Sequence, residues 1–323
     1  MSDSDIVKRN VIETVTEEEL DQLLANKSAS VYCGYETSGR VHIGHMVTAT
    51  KLLDLQNAGL TVKILFADVH TGLNRKGAGD WIEKMVDYWR HCFVALGLDK
   101  AEYVSGSDFQ FKKEYIEDVL KLAQDTTMNR ALRSMQEVAR DIENAHVSQV
   151  IYPLMQIVDI KALGVDIAYG GLEQRKIHML ARELLPSIGY KKPVCLHTPL
   201  ICSLKGPECK MSSSKPETII AVDEDSKSIK AKVKAAYCPP EAENNPVLDA
   251  CRLIVMPKTG CLKVVRPEKY GGNVEYTRFE ELKNDYITKK LHPADLKASV
   301  ANSLSEVLES VRDYMSENKV EFP

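Results

Sequence analysis

Residues 31–47 read VYCGYETSGRVHIGHMV. Val31, Tyr32 and Cys33 are β-prone and predict a strand. Gly34, Thr37, Ser38 and Gly39 mark a turn. His42-Ile43-Gly44-His45 then opens a helix, because Met46, Ala49, Leu52 and Leu53 recur at helical spacing. Strand, glycine-bearing turn and helix start, in that order, aim free backbone N–H groups and the positive end of a helix dipole at whatever lies in front. The imidazoles of His42 and His45 add donors suited to phosphate oxygens.

Outward from this stretch the chain alternates strands and helices. Val62 to Phe66 is a continuous apolar run, as expected of a buried parallel strand. Trp81 to Leu96 reads as a helix closed by Gly97, and Tyr103-Val104 as a third strand. Residues 110–146 break the rhythm with two charged helical segments, which predicts a helical insertion. Val147 to Leu163 is an apolar helix, Val165 to Tyr169 a strand, Glu173 to Ile188 a helix and Pro193 to His197 the last strand. This pattern predicts an α/β fold with a mainly parallel, Rossmann-like sheet and ligands at the carboxyl ends of its strands. Residues 1–27 read as a helical lead-in, with a capping box at Thr16-Glu17-Glu18-Glu19. Past residue 222 the strand signal fades. Lys227, Lys230, Lys232 and Lys234 line one helical stretch, another spans Val247 to Val255, and a last runs from Pro293 to about Tyr314. The expectation is a catalytic domain over 1–222 and a mostly α-helical domain over 223–323.

Composition bounds the function. A net charge of −4 excludes a uniformly basic nucleic-acid coat, so any RNA contact must come from local patches. The eight cysteines show no CxxC and no zinc spacing, which predicts reduced thiols in a cytoplasmic protein without a metal site. No run of 18 apolar residues exists, and MSDSDIVKRN lacks a signal-peptide core, so neither a membrane span nor a secretory leader is expected.

Two further stretches carry chemistry. In IYPLMQIVD (151–159), Tyr152, Gln156 and Asp159 are spaced four and three apart, on one helix face with apolar neighbours. Buried polar groups need partners, so this face predicts a polar-lined pocket. Residues 203–216 form a loop rich in Gly, Ser, Pro and Lys that contains Lys210-Met211-Ser212-Ser213-Ser214.

The pair HIGH and KMSSS, in this order on an α/β pattern, resembles the HIGH and KMSKS signatures of class I aminoacyl-tRNA synthetases. With YxGYExSGxxHxGH, YPxMQxxDI, GGxEQRKIHM and LHPxDLK, the chain resembles the archaeal and eukaryotic tyrosyl-tRNA synthetases over nearly its whole length. The resemblance implies that L-tyrosine, ATP and tRNA(Tyr) are the partners, with Mg²⁺ bound mainly through the phosphates of ATP, and that the protein is a homodimer joined through the insertion. It implies that Tyr32 and Asp159 hold the phenol of tyrosine, while Tyr152, Gln156 and Gln174 hold its ammonium and carboxylate; His70 would lie behind the pocket wall. ATP would meet Gly34, Glu36, His42, Gly44, His45, Lys210, Ser212 and Ser213, with His42, His45, Lys210 and Ser213 serving the chemistry. Arg133, Arg175 and Lys176 would reach the acceptor stem, and Tyr270, His292 and Asp295 the anticodon. Ser213 departs from the motif, whose fourth residue is usually Lys, so the loop has lost one ammonium. Two other readings compete. Tryptophanyl-tRNA synthetase shares the fold, but an indole N–H gives Tyr32 and Asp159 a donor and no acceptor. A non-catalytic RNA-binding protein on the same scaffold is disfavoured by the intact HIGH and KMSSS stretches.

Overall fold

The structure is a computed structural model that describes residues 3–25, 29–136, 144–209 and 211–323. Helix α1 (Asp3–Lys8), strand β1 (Glu13–Val15) and helix α2 (Glu17–Ala25) come first. Then follow β2 (Ser30–Tyr35), α3 (Ile43–Asn57), β3 (Thr61–Phe66), α4 (Asp68–Leu73), α5 (Asp80–Ala95) and β4 (Glu102–Ser105). The insertion supplies α6 (Lys113–Asp125) and α7 (Met128–Ser134). Next are α8 (Val147–Ala162), β5 (Ile167–Gly171), α9 (Arg175–Leu184) and β6 (Val194–Thr198). The remainder comprises α10 (Ser226–Ala235), α11 (Pro246–Ala250), α12 (Met256–Thr259), β7 (Leu262–Val264), β8 (Val274–Tyr276), α13 (Phe279–Ile287), α14 (Pro293–Val307) and α15 (Glu309–Glu317).

Six strands form one sheet in the order β1-β6-β5-β2-β3-β4. All neighbours are parallel except β1, which runs antiparallel to β6. The order reverses between β2 and β5, and at such a switch point the loops leave in opposite directions and open a crevice. Alternate residues of each strand enter two cores. Val31, Cys33, Ile64 and Phe66 pack toward α3 and α5, and that core continues into α10, α11 and α14. Tyr32, Leu65, Ala168 and Cys195 face α8 and α9. Tyr32 therefore reaches the side of the sheet that carries the polar row of α8.

Several elements differ from the sequence reading. The lead-in is not helical throughout, because Glu13–Val15 adds the antiparallel edge strand, although Thr16 and Glu19 do form the reciprocal cap at 3.2 Å in each direction. The last helix divides at Leu308, which caps α14 and opens α15. Residues 223–323 also contain the β7–β8 hairpin and α13, which their sequence did not announce.

Ile64 sits at the centre of β3, is 0% exposed and lies between β2 and β4. Ile64→Ala should lower stability by about 2–5 kcal/mol, since a buried methyl-rich side chain leaves a cavity. Val265→Ala, at a site 79% exposed, should stay within about 0.5 kcal/mol. Denaturant unfolding of both variants checks the contrast.

Candidate active site

A cleft of about 690 Å³ opens at the carboxyl ends of β2 and β5. The strand ends supply Tyr32, Gly34, Glu36, Gly170, Gly171 and Gln174, and α8 supplies Tyr152, Gln156 and Asp159. The tyrosine-binding set from the sequence thus lines one cavity, as do Gly34, Glu36, His42, Gly44 and His45.

At the inner end, Asp159 is 1% exposed. Its Oδ1 accepts from Gln110 Nε2 at 2.7 Å and from Tyr115 Oη at 2.8 Å. Its Oδ2 has no hydrogen-bond partner, and His70 Nε2 stands 3.9 Å away. Burial raises the Asp159 carboxyl above its ordinary value, opposed by His70, Gln110 and Tyr115. Tyr32, also 1% exposed, has a hydroxyl that lies near the Gln156 amide but makes no well-formed hydrogen bond, and burial, then the Asp159 carboxylate, hold it firmly protonated. Four buried polar atoms are therefore left over around the bottom of the cleft, Asp159 Oδ2, Tyr32 Oη, His70 Nε2 and Gln110 Oε1, among them a carboxylate oxygen able to accept and a phenol able to donate. Gln110 and Tyr115 were missed in the sequence. Gln110 lies in a turn without periodicity, but Tyr115, Val119 and Leu122 are spaced four and three apart on the buried face of α6, a signal that could have found Tyr115.

The middle of the cleft is amide and carboxylate. Gln156 Nε2 donates to Gln174 Oε1 at 3.0 Å. Glu36 accepts from Asn74 Nδ2 at 2.9 Å and pairs with Lys76. Burial raises the Tyr152 phenol, and the Glu36 carboxylate adds to the shift.

The outer end is the start of α3. His42 is its N-cap, and its Nδ1 accepts from Gly44 N at 3.1 Å. His45 Nδ1 in turn accepts from His42 N at 3.2 Å. Each cap spends an Nδ1 lone pair, so the proton of a neutral ring sits on Nε2. Burial lowers His42 to about 4, and burial, His42 and Lys76 lower His45. Both rings are therefore neutral Nε2–H donors. Gly44 is required by close approach, since a Cβ there would lie 2.8 Å from His42 Cε1 and 3.2 Å from Met211 Sδ. Met211 thereby brings the KMSSS loop against the HIGH helix. Gly39, at φ +115°, allows the second contact, because a Cβ would fall 2.6 Å from Ser213 Cβ. The Ser213 hydroxyl donates to Arg40 O at 3.2 Å, and Ser212 Oγ and Ser214 Oγ lie 2.8 Å apart. Lys210 lies outside the described residues.

The RNA-facing candidates are not in the cleft. Arg133 is exposed on α7. Arg175 Nε donates to both oxygens of Glu13 at 2.8 Å, and Lys176 Nζ donates to Gln136 Oε1 at 2.8 Å. Tyr270 is 60% exposed, His292 caps α14 through Ala294 N at 3.1 Å, and Asp295 stands 3.8 Å from Arg266. Arg266 also donates to Gly272 O at 2.9 Å and Lys290 O at 3.0 Å, which ties the β7–β8 loop to the start of α14.

A largely parallel sheet with a crevice at its switch point and a histidine-capped helix start packed against Met211 and Ser213 of a later loop are the architecture of a class I aminoacyl-tRNA synthetase. The chain belongs to that family, whose tRNA synthetases class I (W and Y) model matches residues 24–309. Within it the chain belongs with the tyrosine–tRNA ligases. It is 51% identical to the tyrosine–tRNA ligase of Methanoculleus marisnigri over 98% of this chain and 99% of that one, and 50% identical to that of Archaeoglobus fulgidus over 95% of each. The crystal structure of the Archaeoglobus fulgidus tyrosyl-tRNA synthetase complexed with L-tyrosine superposes with a TM-score of 0.94 at 48% identity, covering 97% of this chain and 98% of that one. A tryptophanyl-tRNA synthetase from Aeropyrum pernix, with a TM-score of 0.74 at 18% identity over 93% of this chain and 83% of that one, shares the fold.

The neutral caps have a pH consequence. Unfolded His42 binds a proton near 6.5 and folded His42 only near 4, so the unfolded state holds more protons between those values. This contribution to stability is complete above about 6.5 and is lost as pH falls toward 4. Asn also caps but does not titrate. The thermal midpoint of His42→Asn should therefore fall less than wild type between these two pH values, and parallel curves would contradict the neutral cap.

Proposed function

We infer that the protein attaches L-tyrosine to tRNA(Tyr) at the expense of ATP. The observation that carries the choice of amino acid is the pair of buried leftover atoms, Tyr32 Oη and Asp159 Oδ2. The phenol of tyrosine donates to Asp159 Oδ2 and accepts from the Tyr32 hydroxyl, satisfying both. Phenylalanine satisfies neither, and an indole N–H could serve Asp159 but accept nothing from Tyr32. A site built to pair a hydroxyl rejects the analogue that lacks it far better than an apolar pocket rejects a methylene.

In the first step a tyrosine carboxylate oxygen attacks the α-phosphorus of ATP. The bond from that phosphorus to the bridging oxygen breaks, and pyrophosphate leaves with the electron pair. Tyr152, Gln156 and Gln174 orient the ammonium and carboxylate, so the reaction proceeds by positioning without a protein nucleophile. The Nε2–H groups of His42 and His45 and the N-terminal amides of α3 meet charge on the phosphates, and Lys210 meets the departing pyrophosphate. Gly34, Glu36, Gly44, Ser212 and Ser213 complete the ATP side. Magnesium enters with ATP, held chiefly by phosphate oxygens. In the second step a ribose hydroxyl of the tRNA end attacks the acyl carbon and AMP departs.

Residues 1–222 carry the activation chemistry and 223–323 grip tRNA. Arg133, Arg175 and Lys176 serve the acceptor stem, with Arg175 exchanging Glu13 for phosphate. Tyr270 and His292 stack an unpaired anticodon base while Asp295 accepts from it. Two copies join through the insertion, a reading supported by the exposure of large apolar side chains within or beside it in the chain, Phe111 (70% exposed), Leu120 (58%), Met128 (68%) and Val147 (75%). Among the described residues no helix is long and apolar enough to cross a membrane. The eight free cysteines support work in the reducing cytoplasm.

Pyrophosphate exchange into ATP tests the reading. Tyrosine should support it, and phenylalanine or tryptophan should scarcely do so; equal rates with all three would overturn the assignment. Lys210→Ala should slow exchange far more than it weakens tyrosine binding, because its charge acts where the leaving group forms. Asp295→Ala should leave exchange intact and cost about 1–3 kcal/mol in charging, a loss that shrinks when the recognised anticodon base is changed. An equal fall in exchange and charging would make Asp295 a folding residue.

A further inference from the structure

The turn at 39–43 is gripped by the late part of the loop that contains KMSSS and by the stretch that follows it. Within the loop, near its end, Ser213 Oγ donates to Arg40 O at 3.2 Å. After it, Ile43 N donates to Ile220 O at 2.9 Å and Val222 N to Val41 O at 3.0 Å, with His42 bridged to Ala221. Trp89 Nε1 fixes the start of the turn by donating to Gly39 O at 2.9 Å. The spacing between these two grips decides how far the loop reaches over the start of α3.

One ion pair locks that spacing. Arg40 meets Asp223 at 2.8 Å, and Tyr88 Oη donates to the other carboxylate oxygen at 3.1 Å. The Arg40 side chain is 40% exposed, and an ion pair open to water contributes little because solvent competes for both charges. Here a ring lies over it. Phe322, in the segment that follows α15, sits edge-on to Tyr88 with centroids 5.3 Å apart, and the Arg40 guanidinium lies 5.7 Å from the Phe322 centroid. A phenyl face attracts the guanidinium and keeps water off one side of it. Phe322 does not line the cleft. Its ring meets Arg40 and Tyr88.

We propose that Phe322 is a positioning residue for tyrosine activation: by roofing the Arg40–Asp223 pair it holds the KMSSS loop in register with the start of α3, and so sets the productive binding of ATP while leaving the tyrosine pocket untouched. The proposal rests on the reading of residues 203–216 as the loop that closes on the triphosphate.

The test is tyrosine-dependent pyrophosphate exchange by the full chain, with ATP and tyrosine varied separately at low and high salt. Phe322→Ala should raise the KM for ATP roughly three- to tenfold, the size of a half-exposed cation–π contact. The KM for tyrosine should not move. The defect should grow with salt, because the uncovered pair is screened. Phe322→Tyr keeps the ring and should behave as wild type. Asp223→Asn, which removes one charge of the pair, should reproduce the ATP-specific defect even if the alanine variant folds poorly. Equal changes for ATP and tyrosine, a defect indifferent to salt, or failure of the tyrosine variant to restore activity would overturn the proposal. Lys210→Ala separates the two layers. If it leaves exchange unchanged, the loop reading falls and the clasp with it; if it slows exchange while Phe322→Ala is silent, the clasp alone falls.

Discussion

Asp159 sets a carboxylate where almost no water can reach, 1% exposed, and satisfies only half of it. Gln110 and Tyr115 hold Oδ1, while Oδ2 is left without a partner beside a Tyr32 hydroxyl that is likewise unpaired. A buried charge is costly unless it is paired and hydrogen-bonded. The site thus stores an unmet demand that a ligand of one chemistry can meet. Losing a partner for each of two buried polar groups costs about 1–3 kcal/mol apiece. Together that is roughly 2–6 kcal/mol, or about 30-fold to 10⁴-fold in preference for a phenol over a phenyl group. The architecture serves this arrangement. β2 presents Tyr32, α8 presents Asp159, and the insertion contributes the residue, Tyr115, that turns the carboxylate toward the cavity.

The other end of the cleft follows a complementary logic. On the proposed reading, tyrosine takes the desolvated inner end and ATP the outer one, where donors without a costly buried charge suit its phosphates. His42 and His45 spend their Nδ1 atoms on the backbone of α3, which leaves uncharged Nε2–H groups. The helix end adds partial positive charge in front of them. Gly39 and Gly44 are small because Ser213, Met211 and the His42 ring occupy the space a Cβ would take. The two motifs, far apart in sequence, touch through these two missing side chains.

How much of this was legible depends on whether a residue's partners lie on its own element. The β2–α3 turn could be read because strand alternation, glycines and helical spacing follow one another over 17 residues, 31–47. Tyr152, Gln156 and Asp159 could be read as one face because helix geometry alone places them there. Gln110 could not, since it reaches Asp159 across 49 residues from a turn without periodicity. β1 could not, because three residues carry no pattern and pair only through β6. Arg175 looked like a free RNA-facing cation, yet its guanidinium lies on Glu13, which only the tertiary fold brings near. The division of the last helix at Leu308 was hidden because apolar spacing continues through it into Val311 and Met315.

The pairing of the phenol with Tyr32 and Asp159 is tested most directly by equilibrium binding of tyrosine and of phenylalanine to wild type, Tyr32→Phe and Asp159→Asn. The two ligands differ only in the hydroxyl. The account predicts that each substitution weakens tyrosine by roughly 10-fold or more, as expected for a buried hydrogen bond to a charged or unpaired group, and leaves phenylalanine unchanged or slightly tighter. Equal losses for both ligands would show that these residues shape the pocket without reading the hydroxyl, and would contradict it.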